Sequence, residues 1–358
     1  MTVREPAPEL ANGHGAVAGS APLLWRTARE PRVRDLAWCT LSPPLLSRLP
    51  EAGVALAQWP PGSRAAWERW LATADPATLP PTIDELAHGQ ADDASLSLRL
   101  GRHAERLLQF ALQHADGVEL LAANLPVRRA GERGIQTLGE LDFVWRDLAT
   151  GAIAHWEMAA KFYLYGGDGT EGLRGFVGPN MVDRLADKLT HLVHRQLPLG
   201  HAPEARALLG RAVDRSEVYL LGWLFFRNGE PPPGLAELGI ADDHLRGWWS
   251  SLEDWQARAG QGGRTRWCRL SRASWLSPAV VAEQETESAD ALHEALARRF
   301  ADPGQDKGWR RESPVMLCEL EPAGAGLWRE RSRGFVVPPG WEARARERAA
   351  APEVRAPR

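Results

Sequence analysis

The chain has 358 residues, 44% hydrophobic and 25% charged, with 43 Lys and Arg against 46 Asp and Glu and a formal charge of −3. That composition suits a globular protein of two domains or one elaborated domain, and it carries no global positive field for nucleic acid, leaving room only for a local basic groove. No apolar run reaches the length of a membrane span, the first residues do not read as a secretory leader, and Cys39, Cys268 and Cys318 are too few and too far apart for a disulfide framework, so a cytoplasmic location is expected.

Residues 1–24 mix Gly, Ala, Pro and Glu without periodicity and read as a disordered leader. A helical N-terminal segment, 25–93, is broken into short pieces by proline, with Trp38, Trp59, Trp67 and Trp70 as packing residues. Residues 94–115 give the clearest helix, because Leu100, Ala104, Leu107, Leu108, Ala111 and Leu112 fall on one side at helical spacing. The stretch 117–129 is interrupted at Pro126 and feeds a basic loop containing Arg128, Arg129 and Arg133. The period then changes to alternation, so 137–147 and 152–166 read as two strands joined by Leu148–Gly151. A Gly-rich loop, 165–180, leads to a helix over 181–197 with Asn180 as N-cap, and then to a buried strand over 216–226. Beyond lie helices over 244–259 and 289–300, strands near 265–271, 313–321 and 333–338, and a charged, Ala-rich end that reads as a frayed helix or loose tail.

The two alternating runs carry the chemistry. Closed by a four-residue loop, they set Asp142 opposite Glu157, Glu140 opposite Ala159 and Leu138 opposite Lys161. Alternation puts Glu140 and Asp142 on one face with Glu157, Ala159 and Lys161, and leaves Leu141, Phe143, Trp145, Trp156, Met158, Ala160 and Phe162 on an apolar, packed face. Directly opposed carboxylates repel by a few tenths to about 1 kcal/mol. A hard divalent cation offsets that cost, since Mg²⁺ is held by one or two carboxylates, waters and phosphate oxygens. A neighbouring lysine then orients a water or steadies phosphate charge. The other reading of the same residues is a solvated sheet face with Lys161 as a weak salt-bridge partner and His155 exposed at its edge.

A strand with GxxD, a short turn, then a strand with an acid and a lysine resembles the PD-(D/E)xK nuclease superfamily over about residues 95–200. The resemblance implies an α/β fold with a restriction-endonuclease-like core, a mixed sheet flanked by helices. It implies Asp142, Glu157 and Lys161 as catalytic residues, and Glu105, on the helix LGRHAERLLQFAL, with Asp142 and Glu157 as ligands of Mg²⁺ or Mn²⁺. One spacing departs from the motif: the second acid and the lysine usually stand two residues apart, whereas Glu157 and Lys161 are four apart, roughly 13 Å on an extended strand. Either Glu157 is a migrated acid, or Glu140 or Glu105 compensates, or the site has decayed. Over nearly the whole chain, VRDLAWCTLSPPLL, LLAANLPVR, TLGELDFVWRD, HWEMAAKFYL, VGPNMVDRLADKL, SWLSP and RGFVVPPGW resemble the bacterial domain of unknown function 1853 family, whose biochemistry is unassigned.

Other clusters carry less. The 166–169 glycines match neither phosphate-loop pattern and read as a flexible loop beyond the Lys161 strand. His191 and His194 read as surface or capping residues. Arg184, Lys188 and Arg195 share a helix with Asp183 and Asp187, and form either intrahelical pairs or a positive edge toward phosphate. Lysine is rare, at Lys161, Lys188 and Lys307 only, so each one kept against arginine invites a reason. The expected architecture is a helical N-terminal segment, a nuclease-like core over 94–226, a mixed C-terminal extension over 227–341 packed on it, and a tail over 342–358. The expected function is metal-dependent nucleic-acid hydrolysis, with Arg128, Arg129 and Arg174 approaching the backbone. The rivals are a catalytically silent domain that binds nucleic acid or protein, and a small-molecule phosphoesterase.

Overall fold

Proline divides the first part of the chain into short helices. In the computed structural model, which describes residues 23–51, 53–87, 93–131, 134–259, 265–301 and 313–352, these are α1 (Leu24–Thr27), α2 (Pro31–Leu41), α3 (Ser63–Leu71) and α4 (Ile83–Ala87), with strand β1 (Ala55–Leu56) between α2 and α3. Nearly all of the expected leader, and Arg133 and Lys307, lie outside the described residues. Pro31 stands in the first turn of α2, where its missing N–H costs no hydrogen bond. Trp38 and Trp67 are buried as expected, whereas Trp70 is 39% exposed and stacks on Trp67. The helix read from its periodicity is α5 (Asp93–His114), and its whole apolar stripe from Leu100 to Leu112 is buried against Phe143, Trp145, Trp156 and Phe162 of the sheet.

Residues 117–129 do not feed a basic loop. They form β2 (Val118–Gly131), in which Arg128 and Arg129 are paired with Thr137 and Gln136 of β3 (Gly134–Asp147). Pro126 is tolerated because β2 is an edge strand. The second alternating run is β4 (Ile153–Tyr165), and it meets β3 in the expected register, Phe143 opposite Trp156 and Arg146 opposite Ile153. β5 (Phe176–Val177) adds briefly to β4.

The helix expected over 181–197 is shorter, α6 (Leu185–His191), followed by a π turn over 192–196 and a 3₁₀ turn over 197–201. It is entered from an extended Arg184 rather than from Asn180, because the wholly buried Arg184 is drawn to Asp187 and to distant carbonyls. α7 (Pro203–Leu209) then leads to β6 (Arg215–Arg227), the buried strand, which lies parallel to β4.

The remaining elements are β7 (Leu245–Ser250), α8 (Leu252–Ala259), β8 (Arg266–Arg269), β9 (Val280–Ala282), α9 (Ala289–Ala301), β10 (Val315–Gly324), β11 (Leu327–Val336) and α10 (Trp341–Ala350). The first half of the helix expected over 244–259 is strand β7, because Leu245, Trp248 and Trp249 are buried between β6 and β11. The charged end is a docked helix: Trp341, Ala345 and Ala349 are buried, and the Arg184 guanidinium donates to the carbonyls of Arg348, Ala351 and Pro352 at 3.0, 2.6 and 3.0 Å. Cys268 and Cys318, distant in sequence, face each other across β8 and β10 as buried free thiols with sulfurs 3.0 Å apart.

The result is a mixed α/β fold with a large mixed sheet flanked by helices. Its strand order is β2-β3-β4-β6-β7-β11-β10-β8, parallel from β4 to β11 and antiparallel toward both ends. The C-terminal extension therefore continues the sheet of the expected core, and one apolar cluster runs from Trp25 to Ala349. On the opposite face, Ala159, Tyr163, Val218 and Leu224 pack under Leu185, Leu189 and Leu192.

One close approach fixes β6 on β4. Gly222 lies opposite Lys161, and a Cβ there would stand 1.8 Å from the Lys161 carbonyl oxygen at a φ of 153°. Gly222→Ala is expected to destabilise the fold by on the order of 3 kcal/mol, read as a lower urea midpoint. An unchanged midpoint would show that the two strands part freely.

Candidate functional site

A paired strand exposes fresh backbone donors and acceptors wherever its partner leaves. β3 leaves β4 directly after the Phe143–Trp156 pair, so the expected pairs of Asp142 with Glu157, Glu140 with Ala159 and Leu138 with Lys161 are not part of the ladder. At that point the Asp142 side chain takes over, and its Oδ2 accepts from the Met158 N–H at 2.8 Å. Leu141 goes with the departing strand, joining Val127 and Val144 rather than the apolar face that holds Phe143. Beyond Met158 the open side of β4 lines a cleft of about 680 Å³. Its walls carry Arg102 and Glu105 from α5, Lys161 from β4, Asp183 and Lys188 around the start of α6, and Arg272.

The acid-bearing face is not solvated. Glu157 and His155 are both 0% exposed beneath the 192–201 turns. The Gln196 side-chain amide, carried by the π turn, donates to Glu157 Oε2, while His155 Nε2 lies 2.8 Å from Glu157 Oε1. His155 Nδ1 in turn lies 3.1 Å from Ser216 Oγ, which is 3.2 Å from His201 Nε2. This chain needs Gly200, since a Cβ there would fall 2.6 Å from His155 Nδ1. Gln196 Oε1 accepts from Lys188 Nζ at 3.1 Å and from His191 Nδ1 at 3.0 Å.

Burial sets the protonation states. It pushes the Asp142 carboxyl up to about 7, helped by the charge of Glu157, and it pushes Glu157 up to about 7 as well. The same burial lowers His155 to about 4, so the imidazole is neutral at neutral pH. Glu105 is raised by burial and then by the charges of Asp142 and Glu140, which marks it as a neighbour of the pair. Lys188 is lowered by burial and by Lys161, although Asp142 and Glu157 both pull it the other way.

The sequence-predicted residues are thus partly assembled. Asp142 and Glu157 are neighbours with Glu105 nearby, but among the described residues no group of three or more His, Cys, Asp or Glu side chains is arranged to hold a metal ion. Lys161 Nζ is bound to Asp183 Oδ2 at 2.7 Å, and Tyr163 donates to the same oxygen at 3.3 Å. The lysine whose charge reaches both acids is Lys188. Arg184 pairs with Asp187 at 2.8 Å from the extended residue that precedes α6, not within the helix, and is closed to other ligands by its burial. Arg128, Arg129 and Arg174 are not among the cleft residues, and Arg129 is bound to Glu204 at 2.6 Å. His194 lies 3.8 Å from Glu51. The glycines after β4 are tied down: Gly166 N–H bonds to Gly175 O at 2.9 Å, and a Cβ on Gly166 would meet Ala345 of α10. Sequence reasoning missed the parts played by Lys188, Gln196, Ser216 and Asp183. Only for Lys188 was there a signal, its survival in an arginine-rich chain.

Compared with known proteins, residues 34–337 match the model of a family described as a domain of unknown function, DUF1853. No curated protein and no solved structure matches the chain. No described helix is long and apolar enough to cross a membrane.

The acid pair predicts a direction of pH dependence. A carboxyl raised in the folded state keeps its proton while the unfolded one loses it, so the pair's contribution to stability falls as pH rises from about 4 to about 7 and stays low above that. Asp142→Asn removes the larger part of this fall. Its stability relative to the parent is expected to grow over that range, as followed by thermal melting. A difference that is constant with pH would contradict the burial of the pair.

Proposed function

The chain belongs to the DUF1853 family, and for this member we propose metal-dependent hydrolysis of phosphodiester bonds in nucleic acid by a PD-(D/E)xK-like core. The observation that carries the proposal is the adjacency of Asp142 and Glu157, with Lys188 beside them, next to a cleft whose lining is richer in basic than in acidic side chains. The order of elements supports it: helix α5, the antiparallel run β2–β3–β4, helix α6, then β6 parallel to β4. Lys188 also removes the difficulty of the four-residue gap between Glu157 and Lys161, because it reaches the acids from α6.

In this reading the acids serve a hard divalent cation, of whose ligands the protein supplies only one or two carboxylates. Two adjacent buried carboxyls raised to about 7 by burial, Asp142 also by the charge of Glu157, become easier to ionise when a cation sits between them. Asp142 and Glu157 would hold Mg²⁺ or Mn²⁺, with Glu105 nearby and the remaining positions filled by waters and phosphate oxygens. The ion would supply an acidified water and charge stabilisation on the phosphate. Gln196 and His155 fix the Glu157 carboxyl in place. Lys188, partly desolvated, holds a positive charge beside the acids, where negative charge grows on the phosphate. Lys161, Arg102 and Arg272 line the path of the backbone.

A silent binding module is the second reading, favoured by the engagement of both Glu157 oxygens within the protein. Calorimetric titration with Mn²⁺ separates the two without a substrate. Saturable binding is expected in the parent and none in a folded Asp142→Asn, Glu157→Gln variant. On labelled DNA and RNA, Lys188→Ala is expected to lower cleavage by about 100-fold or more. Metal-free nucleic-acid binding that survives Asp142→Asn, without any cleavage, would instead establish the binding module.

A further inference from the structure

We propose that the cleft continues past Arg272 and Trp275 into a second recess that takes a further phosphate of the same nucleic-acid strand, so that the ligand is an oligonucleotide and not a mononucleotide. The inference rests on the reading of the cleft as a nucleic-acid site. The second recess has a volume of about 280 Å³, and Arg272 and Trp275 line both spaces. Three guanidinium-bearing residues converge on it from separate elements: Arg269 at the end of β8, Arg272 in the 3₁₀ turn Arg272–Ser274, and Arg299 on α9. No described residue lining it is acidic. In a chain with a net charge of −3, the described lining of this recess is thus a local concentration of cationic side chains.

The chemistry that matches it is phosphate. A guanidinium presents a planar fork of donors that fits phosphate oxygens, and arginine keeps its charge in partly desolvated surroundings. Arg272, 7% exposed, has its Cζ 5.2 Å from the centre of the Trp275 ring, so it is held as a fixed post between the two spaces. Trp275 is 6% exposed and packs edge-on against Phe162 and Phe335, which fixes its ring as a rigid wall shared by the two spaces. Phosphates of one strand laid along both spaces would meet Lys161 and Arg102 in the first and Arg269 and Arg299 in the second.

The experiment is fluorescence anisotropy on the full chain in EDTA, which prevents hydrolysis and makes binding independent of metal. The probes are a labelled dinucleotide and a labelled dodecamer, the latter offered both single-stranded and as a duplex. The parent is expected to prefer the dodecamer. The Arg269→Ala, Arg299→Ala double variant is expected to weaken dodecamer binding by about tenfold, lower the salt slope by roughly 1.4 for a single strand, and leave the dinucleotide unchanged. Should that variant fail to fold, Arg269→Glu at the exposed end of β8 is the substitute, with a larger expected loss. Equal binding of both lengths by the parent, no binding of either dodecamer form, or unchanged dodecamer affinity in the folded variant would overturn the recess. If the parent cleaves nothing yet loses dodecamer affinity in the variant, the nuclease reading fails and the recess stands. If it cleaves while the variant binds as the parent does, only the recess fails.

Discussion

The site depends on one local event, the parting of β3 from β4 at Asp142. An antiparallel ladder that ends inside a protein leaves backbone donors that water cannot reach, and each must find a partner. Here the partner for the Met158 N–H is the Asp142 carboxylate. That single bond draws an acid into the interior beside Glu157. It also leaves 159–163 of β4 without a strand partner on that side until β5 joins at Leu164, and the cleft occupies the space so made. The departing strands do not hang free: Val127 and Leu141 pack on Ala205, with Leu138 and Leu199 alongside. A Cβ on Gly139 would collide with Leu199, so the ribbon lies tightly on the turn that also roofs the acids.

Two buried carboxyls would be destabilising alone, and the surrounding polar groups answer them one by one. The π turn after α6 matters here because it carries the Gln196 amide, which is bonded at once to Glu157 and Lys188. Such irregular turns persist in proteins where a side chain must be presented at an angle a regular helix does not offer. Behind Glu157, the neutral His155 and Ser216 continue the hydrogen bonds out to His201 at the surface. The acids are therefore held in position by neutral donors, and the charged groups of opposite sign are kept to the cleft wall.

Much of this architecture was legible in the sequence. The α5 stripe, the two strands and their register followed from periods of 3.6 and 2 and from a four-residue loop, because those patterns are dictated by burial on one side of an element. The register brought Asp142 close to Glu157, although the ladder ends one pair earlier and the Asp142 side chain caps the Met158 N–H instead. What could not be read came from long-range packing. β2 hides its strand character behind Pro126 and an edge position. α6 begins late because Arg184 is recruited by carbonyls more than 160 residues away. The burial of His155 and Glu157 depends on turns that show no periodicity, so their face looked solvated. Lys161, in the expected strand position, is held by Asp183, and the lysine that attends the acids comes from a helix that starts later than expected.

The parallel centre of the sheet has a consequence for how the chain is made. β7 and β11 are neighbours, yet Trp248 and its partner Gly334 are 86 positions apart in the sequence, and the apolar cluster that begins at Trp25 is completed only by Ala349 of α10. During synthesis, Trp25 and β7 leave the ribosome well before β11 and α10, which complete their surroundings. Contacts of such long sequence separation close slowly, and the exposed edges of β4 and β6 are sticky while they wait. The topology thus keeps apolar surface open in the nascent protein until α10, buckled to Arg184, packs its Trp341, Ala345 and Ala349 into the cluster.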